Sequence, residues 1–286
     1  MVFCAKGHFQ HYLLHCIQED HELVGVVFHQ SEQLGQTVFQ RKLQRFQNAL
    51  SYLFNPLRAI KYVHARLALP EFERRAESRL QTEFPRFSEW QKKPDKLNSI
   101  RVDNINHSKV MEFVDQLKPD VVCVNGTNLI REPLLSVTAE LPLGIINLHT
   151  GLSPYSRGGN CNLFMLLENK PHLVGGTIHF IDKGIDSGDI IHSFQVPMLA
   201  DDSFETIDGR VFLVGMHALS DTINKLATQQ APRVKQWQKG KLFLLRTGYK
   251  YEPALRLKLN KMIEQGLIER YLSKQQELNK NIRLIN

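Results

Sequence analysis

The sequence predicts an α/β protein: a parallel β-sheet covered by helices, with a helical insertion and a small, mostly helical C-terminal appendage. Continuous apolar runs, such as residues 2–5 and 121–124, alternate with amphipathic helical stretches. That order is typical of parallel strands, because helices bury such strands on both faces. The length of 286 residues fits one large domain with a smaller appendage. We place the main domain at residues 1–200 and the appendage at residues 201–286.

The predicted elements follow from the spacing of apolar residues. A first strand at residues 2–5 precedes a helix that places Tyr12, Leu13, Cys16 and Ile17 on one face. Further strands are predicted at residues 23–28, 100–102, 121–124, 144–148 and 177–181, and further helices at residues 110–117 and 161–168. The appendage contains a helix over residues 204–226, a short strand over 241–245 and a basic amphipathic helix over 253–272.

Residues 36–94 interrupt the α/β alternation with a basic helical insertion. Apolar residues recur there at helical spacing, and Pro56, Pro70 and Pro85 are expected to break the helices. Twelve Lys or Arg and five Glu place the whole net charge of +7 in this insertion. Such an excess can attract nucleic acid, anionic lipid or a phosphorylated substrate. A solvated helical hairpin with one apolar packing face is the simplest interpretation; dimer formation, a cap over the site and a membrane-surface helix are the alternatives.

Composition excludes several classes of protein. No apolar run reaches the roughly 18 residues of a membrane-spanning helix, and the N-terminus lacks the apolar core of a signal peptide, so we expect a cytoplasmic protein. Four scattered cysteines predict neither a disulfide framework nor a metal site. The absence of a Gly-rich phosphate loop argues against dehydrogenases and kinases.

Three polar residues are candidates for a reaction centre. Residues two apart on a strand point to the same side, so Asn147 and His149 present an amide and an imidazole together at a strand end. Two such donors can stabilise an oxyanion, and Asp186 in a neighbouring loop can accept a proton from an attacking amine. Taken singly, a histidine is more often structural, and Asp186 with Gly188 is typical of a plain turn.

Taken together, the motifs around these residues resemble the formyltransferase family, whose hallmark is Asn-x-His-x-Ser-Leu-Leu-Pro-x-Tyr-Arg-Gly. The chain reads Asn-Leu-His-Thr-Gly-Leu-Ser-Pro-Tyr-Ser-Arg-Gly over residues 147–158. It differs at Gly151 and Ser153, and the tyrosine is shifted by one position. A second hallmark, Gly-x-Thr-x-His-Phe followed by Asp-x-Gly, matches residues 175–180 and 186–188. The resemblance covers roughly residues 100–200.

The resemblance implies a Rossmann-like parallel sheet and a site for 10-formyltetrahydrofolate, the formyl donor. It assigns Asn147, His149 and Asp186 as the catalytic trio. It implies that two backbone loops hold the folate: Gly126, Thr127, Asn128, Leu129 and Ile130 in one, and Asp182, Lys183 and Gly184 in the other. Tyr155, Arg157 and Gly158 are expected to close over the substrate. His179 either supports the trio or is a packed structural histidine.

The acceptor amine is the open question. Methionyl-tRNA formyltransferases carry a β-rich second domain, whereas the appendage of this chain is predicted to be helical. The shortest purine-pathway members lack both extra parts, so a nucleotide-linked amino sugar is the leading choice, with Tyr249, Tyr251, Arg246 and Lys250 as a candidate cluster for its nucleotide. A formyltetrahydrofolate hydrolase and a non-catalytic folate- or RNA-binding protein are the alternatives from other classes.

Overall fold

The computed structural model describes residues 1–30 and 55–286 of the chain. The described strands are β1 Val2–Ala5, β2 Val26–His29, β3 Ser99–Val102, β4 Val122–Asn125, β5 Ile145–His149, β6 Ser156–Gly158, β7 Gly176–Phe180, β8 Ile190–Phe194 and β9 Lys241–Phe243. The described α-helices are α1 His8–Asp20, α2 Pro56–Glu83, α3 Phe87–Trp90, α4 Ser108–Leu117, α5 Leu134–Ala139, α6 Cys161–Leu167, α7 Phe204–Ala227, α8 Pro253–Glu264, α9 Leu267–Leu272 and α10 Gln275–Asn279. Two short 3₁₀ turns lie at Pro171–Leu173 and Leu245–Thr247.

The main sheet has seven strands in the order β3-β2-β1-β4-β5-β7-β8. Strands β1 to β5 pair in parallel, which confirms the predicted α/β class. Strand β7 pairs antiparallel with both β5 and β8. The sheet is thus mostly parallel with one antiparallel edge, which the sequence did not indicate because an apolar run predicts a buried strand and not its direction.

Helices cover both faces of the sheet, and each face has its own core. On one face, α1, α6 and α7 pack over side chains such as Cys4, Ile146 and Leu148. On the other face, α4 and α5 pack over Phe3 and Val124. The strands are buried on both sides for this reason, as their continuous apolar sequences require.

The described part of the insertion consists of the 28-residue helix α2 and the short helix α3. Pro56 occupies the first turn of α2, where proline fits, but Pro70 lies inside the helix. The expected break at Pro70 is wrong: tertiary packing of neighbours such as Leu69 and Leu80 against α7 and α8 outweighs the lost backbone hydrogen bond. The predicted helical stretch around Phe39, Leu43, Phe46, Leu50 and Leu53 lies outside the described residues.

A buried charge network joins α2 to α7. The Arg210 guanidinium on α7 donates to both oxygens of Glu83 at 2.7 Å, and to Asp202 at 2.9 and 3.1 Å. Arg210 also donates to the Pro197 carbonyl at 2.6 Å. Glu83 and Asp202 are both paired with the buried Arg210 guanidinium, so the network fixes the position of α2 against α7.

The C-terminal segment packs onto the rest of the chain in several places. Helix α7 contributes Ile207, Leu213 and Met216 to the large core. Strand β9 pairs with β6, and the Ser193 and Ile285 backbones join near the C-terminus. The helix predicted over residues 253–272 is two helices, because Gly266 takes a left-handed conformation between them. A boundary after residue 200 stays a prediction.

Several elements have no counterpart in the sequence prediction. Strands β6 and β8 and helix α5 are short, and β6 lies in a Ser- and Gly-rich stretch that predicts a loop. Within residues 1–30 and 55–286, no helix is both long and apolar enough to cross a membrane.

Candidate functional site

A cavity of about 820 Å³ lies at the carboxyl ends of β4 and β5. This is the edge at which open α/β sheets bind ligands. Asn147 and His149 reach it from β5, and Asp186 reaches it from the loop between β7 and β8. The structure therefore brings together all three residues of the predicted trio.

The loop of residues 181–189 brings Asp186 back to the end of β5 although β7 runs antiparallel. Gly188 makes this return possible, since a Cβ there would lie 1.8 Å from the Phe180 carbonyl oxygen. Gln236 donates to the carbonyls of Asp186 and Gly188 at 2.9 and 3.0 Å. Asp186 itself has a positive φ of 46°. The carboxylate is thus placed by a tight, braced turn.

The Asp186 carboxylate lies between two imidazoles. Its Oδ2 is 3.5 Å from His149 Nδ1, and its Oδ1 is 3.6 Å from His179 Nε2. The Gly158 backbone N–H donates to Oδ2 at 2.9 Å. His149 and His179 are almost fully buried. Both imidazole distances are long for hydrogen bonds.

These contacts fix the ionisation states of the centre. Burial lowers the pKa of His149 below its ordinary value, and the Asp186 carboxylate offsets only part of this effect. Burial alone would raise the pKa of Asp186, but His149, His179 and the Gly158 N–H outweigh it and lower that pKa below its ordinary value. At neutral pH the centre holds a neutral His149 beside an ionised Asp186.

His179 orients Asn147. Its Nδ1 lies 2.8 Å from the Phe180 carbonyl oxygen, which only accepts, so Nδ1 carries the proton. Its Nε2 lies 3.2 Å from Asn147 Nδ2 and 3.6 Å from Asp186 Oδ1. The ring therefore holds the Asn147 amide beside the Asp186 carboxylate. The prediction left His179 as either support or packing, and the structure places it beside both Asn147 and Asp186.

Small residues let the His149 ring sit deep in the fold. A Cβ at Gly151 would lie 2.4 Å from His149 Nε2, so the glycine that departs from the family hallmark makes room for the imidazole. Cys161 Sγ lies 3.5 Å from the same Nε2. Thr177 Oγ1 accepts from Ser153 N and donates to the Gly151 carbonyl, each at 2.8 Å, which pins the intervening loop.

The two predicted folate loops line the same cavity. Its lining includes Gly126, Thr127, Asn128, Leu129 and Ile130 from one loop and Asp182 and Gly184 from the other. Lys183 is not among the lining residues, and its Nζ lies 3.6 Å from Glu132 Oε1.

Two asparagines that also line the cavity hold the first loop in place. Asn104 Oδ1 accepts from Asn128 Nδ2 at 2.9 Å. Asn106 donates to the Leu129 carbonyl at 2.8 Å and accepts from the Arg131 backbone at 2.7 Å. These contacts fix the backbone of the loop where it borders the cavity.

The three predicted substrate residues fall in different places. Gly158 lines the cavity and holds Asp186. Tyr155 and Arg157 are absent from its lining; the Tyr155 hydroxyl accepts from the Arg283 backbone at 2.8 Å, and Arg157 Nε is buried without a hydrogen-bond partner among the described residues. Their role in substrate binding stays a prediction.

Sequence reasoning missed several lining residues. Gln10 on α1 donates to Asn125 Oδ1 at 2.9 Å, and Asn125 donates to the Leu148 carbonyl at 3.2 Å, so this pair joins three elements beside the cavity. Phe212 on α7 and Asn160 before α6 also line it. The only signal for Asn125 was its position at the end of a buried strand; Gln10 and Phe212 lie on helical faces that carry no comparable signal.

Sequence comparison gives one family and a set of curated relatives. Residues 74–223, more than half of the chain, match the formyl transferase family. A methionyl-tRNA formyltransferase from Halothermothrix orenii is 32% identical over 143 residues, which are 49% of this chain and 43% of that relative. Another from Methylacidiphilum infernorum is 31% identical over 137 residues, which are 47% of this chain and 41% of that relative. The match thus spans less than half the length of these relatives.

Solved structures share the fold at low identity. A phosphoribosylglycinamide formyltransferase from Anaplasma phagocytophilum has a TM-score of 0.51 at 13% identity, over 84% of this chain and 96% of that one. An N-formyltransferase from Helicobacter canadensis, solved with folinic acid and dTDP-3-aminofucose, has a TM-score of 0.51 at 14% identity, over 90% of this chain and 79% of that one. At these identities the likeness concerns the fold.

Proposed function

Since the chain belongs to the formyl transferase family, we propose that it moves a formyl group from 10-formyltetrahydrofolate to a primary amine. The observation that carries the proposal is the convergence of Asn147, His149 and Asp186 in one cavity. In the reaction the amine nitrogen bonds to the formyl carbon, the bond from that carbon to the folate nitrogen breaks, and one proton passes from the amine to the folate nitrogen.

The residues of the centre have separate roles in this proposal. The Asn147 amide, which contacts His179, supplies an N–H donor for negative charge on the formyl oxygen, and the neutral His149 ring lies beside Asp186 and positions its carboxylate. Asp186 stays ionised and stabilises positive charge on the amine nitrogen while the proton leaves. A carboxylate whose pKa is lowered holds a proton weakly, so Asp186 is not the final acceptor. We propose that Asp186 only assists the passage of the proton from the amine to the folate nitrogen.

The cavity suits a folate donor. A volume of about 820 Å³ is in the range of pockets that hold drug-sized ligands. The backbone of residues 126–130 forms one wall, and Asn104 and Asn106 hold that wall in place. Backbone N–H and carbonyl groups of such a loop are suited to the donors and acceptors of a pteridine ring.

For the acceptor we propose a nucleotide-linked amino sugar. Of the predicted aromatic cluster, Tyr249 packs against Phe164 and Phe243, whereas Tyr251 is 41% exposed. Tyr251 borders a basic groove of about 770 Å³ that Lys61 and Lys250 also line. Cations beside an exposed tyrosine favour a base and its phosphates. Methionyl-tRNA and glycinamide ribonucleotide stay the alternative acceptors.

Kinetics of site variants test the proposed centre. Asn147→Ala, His149→Ala and Asp186→Asn should each lower kcat for formyl transfer by about 10²- to 10⁴-fold, because each removes a group that acts on charge in the transition state. The measurement is release of tetrahydrofolate at saturating donor and acceptor, with circular dichroism to confirm folding.

Asp189→Asn is the matched control. Asp189 ends the same loop, but its carboxylate pairs with Arg233 at the surface at 2.8 Å. Its kcat should stay within about threefold of the unmodified protein. An Asp186→Asn protein as active as this control would show that the centre lies elsewhere.

A further inference from the structure

One side of helix α2 exposes a row of large apolar side chains. Leu57, Ile60, Val63 and Leu67 are 70%, 64%, 54% and 77% exposed. They follow one another at spacings of three, three and four residues, which places them along one side of the helix over about 15 Å. We call these four residues the α2 stripe. Single exposed leucines are common on protein surfaces, but a continuous apolar row is typical of an interaction site.

The stripe lies on the side of α2 that faces away from the rest of the protein. Ala65 and Leu69 of the same helix are buried and pack with Leu257 of α8. Each helical residue is turned by about 100° from the one before it, so Ile60 and Leu67 lie opposite this buried pair. Packing among the described residues therefore covers one side of α2 and leaves the stripe in contact with solvent.

Cations border the stripe on both sides. Lys61 follows Ile60 and Arg66 precedes Leu67, so the two cations lie on opposite edges of the stripe. Both are exposed, and neither forms an ion pair within residues 1–30 and 55–286. His64, also exposed, adds a polar group on the same side of the helix as the stripe. The apolar row thus has a positively charged margin along each edge.

The stretch of sequence that contains the stripe carries only positive charges. Six Lys or Arg and no Asp or Glu occur between Glu32 and Glu71. Of the cations on α2 within this stretch, Arg58 pairs with Glu252, whereas Lys61 and Arg66 are left for an external anion. Two copies of this basic stripe would place like charges against each other, which opposes pairing of two chains through it.

An apolar row with cations on both edges is the arrangement of a helix that lies in the interface of an anionic membrane. In such a helix the apolar side chains enter the boundary between headgroups and acyl chains. The long stems of Lys and Arg pack along the apolar surface, and their charged ends reach the headgroup phosphates. Each cation near such a surface contributes about 1 kcal/mol to binding.

Helix α2 is firmly joined to the main domain. At its C-terminal end, Glu83 accepts from the buried Arg210 guanidinium of α7 at 2.7 Å. Nearer its middle, Glu73 accepts from Arg256 of α8 at 3.0 Å. Binding at the stripe therefore places the whole main domain at the bound surface.

We propose that the α2 stripe and its bordering cations bind the surface of a membrane that contains anionic lipids. Ile60, Val63 and Leu67 enter the interface, and the bordering cations contact lipid phosphates. These three apolar residues are not among the described residues that line the reaction cavity, so the inference does not depend on formyl transfer. Leu57 and Lys61 also line the basic groove, which places the bound membrane beside it.

Co-sedimentation of the full-length chain with lipid vesicles tests the inference. The vesicles contain phosphatidylcholine alone, or equal parts of phosphatidylcholine and phosphatidylglycerol. We expect the affinity for the anionic vesicles to be at least about tenfold higher and to fall as salt is added, because ions screen the headgroup charge. Ile60→Ser/Leu67→Ser and Arg66→Glu should each lower binding to the anionic vesicles by about tenfold.

Leu245→Ser and Lys109→Glu are the matched controls. Leu245 is 71% exposed and lies outside α2. Lys109 is exposed on α4, which covers the face of the main sheet opposite to α7. Both variants should bind the anionic vesicles within about threefold of the unmodified protein, because neither changes the stripe or its edges.

The other possible occupants of the stripe give different results with the Ile60→Ser/Leu67→Ser protein. A dimer that this variant converts to a monomer, measured by light scattering, would place the stripe between two chains. A lower urea midpoint than that of the unmodified protein would show that the stripe packs inside its own chain. Either result overturns the inference, and so does binding that is equal for the two kinds of vesicle or unchanged in this variant.

Discussion

At the scale of single residues, the centre depends on how burial and charge act on two neighbouring groups. His149 stays neutral because burial outweighs its attraction to Asp186, and Asp186 stays ionised because two imidazoles and one backbone N–H outweigh its burial. Neither state follows from the residue type alone. Each requires the packing that Gly151, Cys161 and Gly158 provide around the rings.

The pH dependence of turnover should report the neutral His149. An unperturbed imidazole gains its proton near pH 6.5, and burial lowers the pKa of His149 below that value. The fall of kcat on the acid side should therefore lie below about pH 6.5. The measurement is kcat at saturating substrates from pH 5 to 9, with circular dichroism at each pH to exclude unfolding. An acid limb at or above pH 7 would contradict the assigned neutral imidazole.

Asp208 makes a prediction about stability. Its pKa is about 6 in the folded protein and near 3.8 when unperturbed, so its ionisation destabilises the fold. The cost is absent below pH 3.8, grows as the pH rises to 6 and is complete above that. Asp208→Asn should thus raise the free energy of unfolding by roughly 1–3 kcal/mol at pH 7.5 and hardly at all at pH 4.

Urea denaturation at both pH values checks this prediction, with Asp221→Asn as the exposed control. Asp208→Asn could instead raise the free energy of unfolding equally at pH 4 and pH 7.5, or lower it at pH 7.5. Either result would show that ionisation of Asp208 does not destabilise the fold.

At the scale of elements, close backbone contacts decide how short strands reach the site. Strand β9 docks on β6, whose last residue, Gly158, holds Asp186. Gly240 directly precedes β9, and a Cβ on it would lie 1.8 Å from the Pro154 carbonyl oxygen. Gly240 therefore allows the C-terminal segment to pack closely on the loop after β5.

Gly240→Ala should destabilise the protein by about 1–3 kcal/mol, because the backbone oxygen it meets cannot rotate away as a side chain would. Gly159→Ala is the matched control, since a Cβ there meets no atom within 4 Å. Urea denaturation of both variants measures the difference. Equal stability of the two variants would mean that β9 does not pack on this loop as described.

The sequence allowed the order of these elements to be predicted, but not all of their geometry. Val2–Ala5 and the strand at Val122–Asn125 were recognisable because buried parallel strands are uniformly apolar. The direction of β7 and the continuity of α2 through Pro70 could not be recognised in the sequence, since both depend on packing against residues that are distant along the chain. The trio was predicted from its place at strand ends and from the resemblance of the surrounding motifs to the formyltransferase family, whereas Asn104, Asn106 and Gln10 reach the cavity only through tertiary contacts.

At the scale of the whole molecule, three cavities form a continuous series. The reaction cavity shares Asn160 with a second cavity of about 590 Å³, and that second cavity shares Tyr251 with the basic groove. Elements distant in sequence build the series: the main sheet supplies the centre, the insertion supplies α2, and the C-terminal segment supplies Tyr251 and Arg256.

The most direct test of the proposed formyl transfer is mass spectrometry of amines after incubation with the protein and 10-formyltetrahydrofolate. The panel contains nucleotide-linked amino sugars, glycinamide ribonucleotide and methionyl-tRNA, and release of tetrahydrofolate is followed in parallel. We expect a nucleotide-linked amino sugar to gain the mass of one formyl group, with one tetrahydrofolate released for each product and no gain with the Asp186→Asn protein. Release of formate without any formylated amine, or no turnover of the folate at all, would contradict formyl transfer as the function of this site.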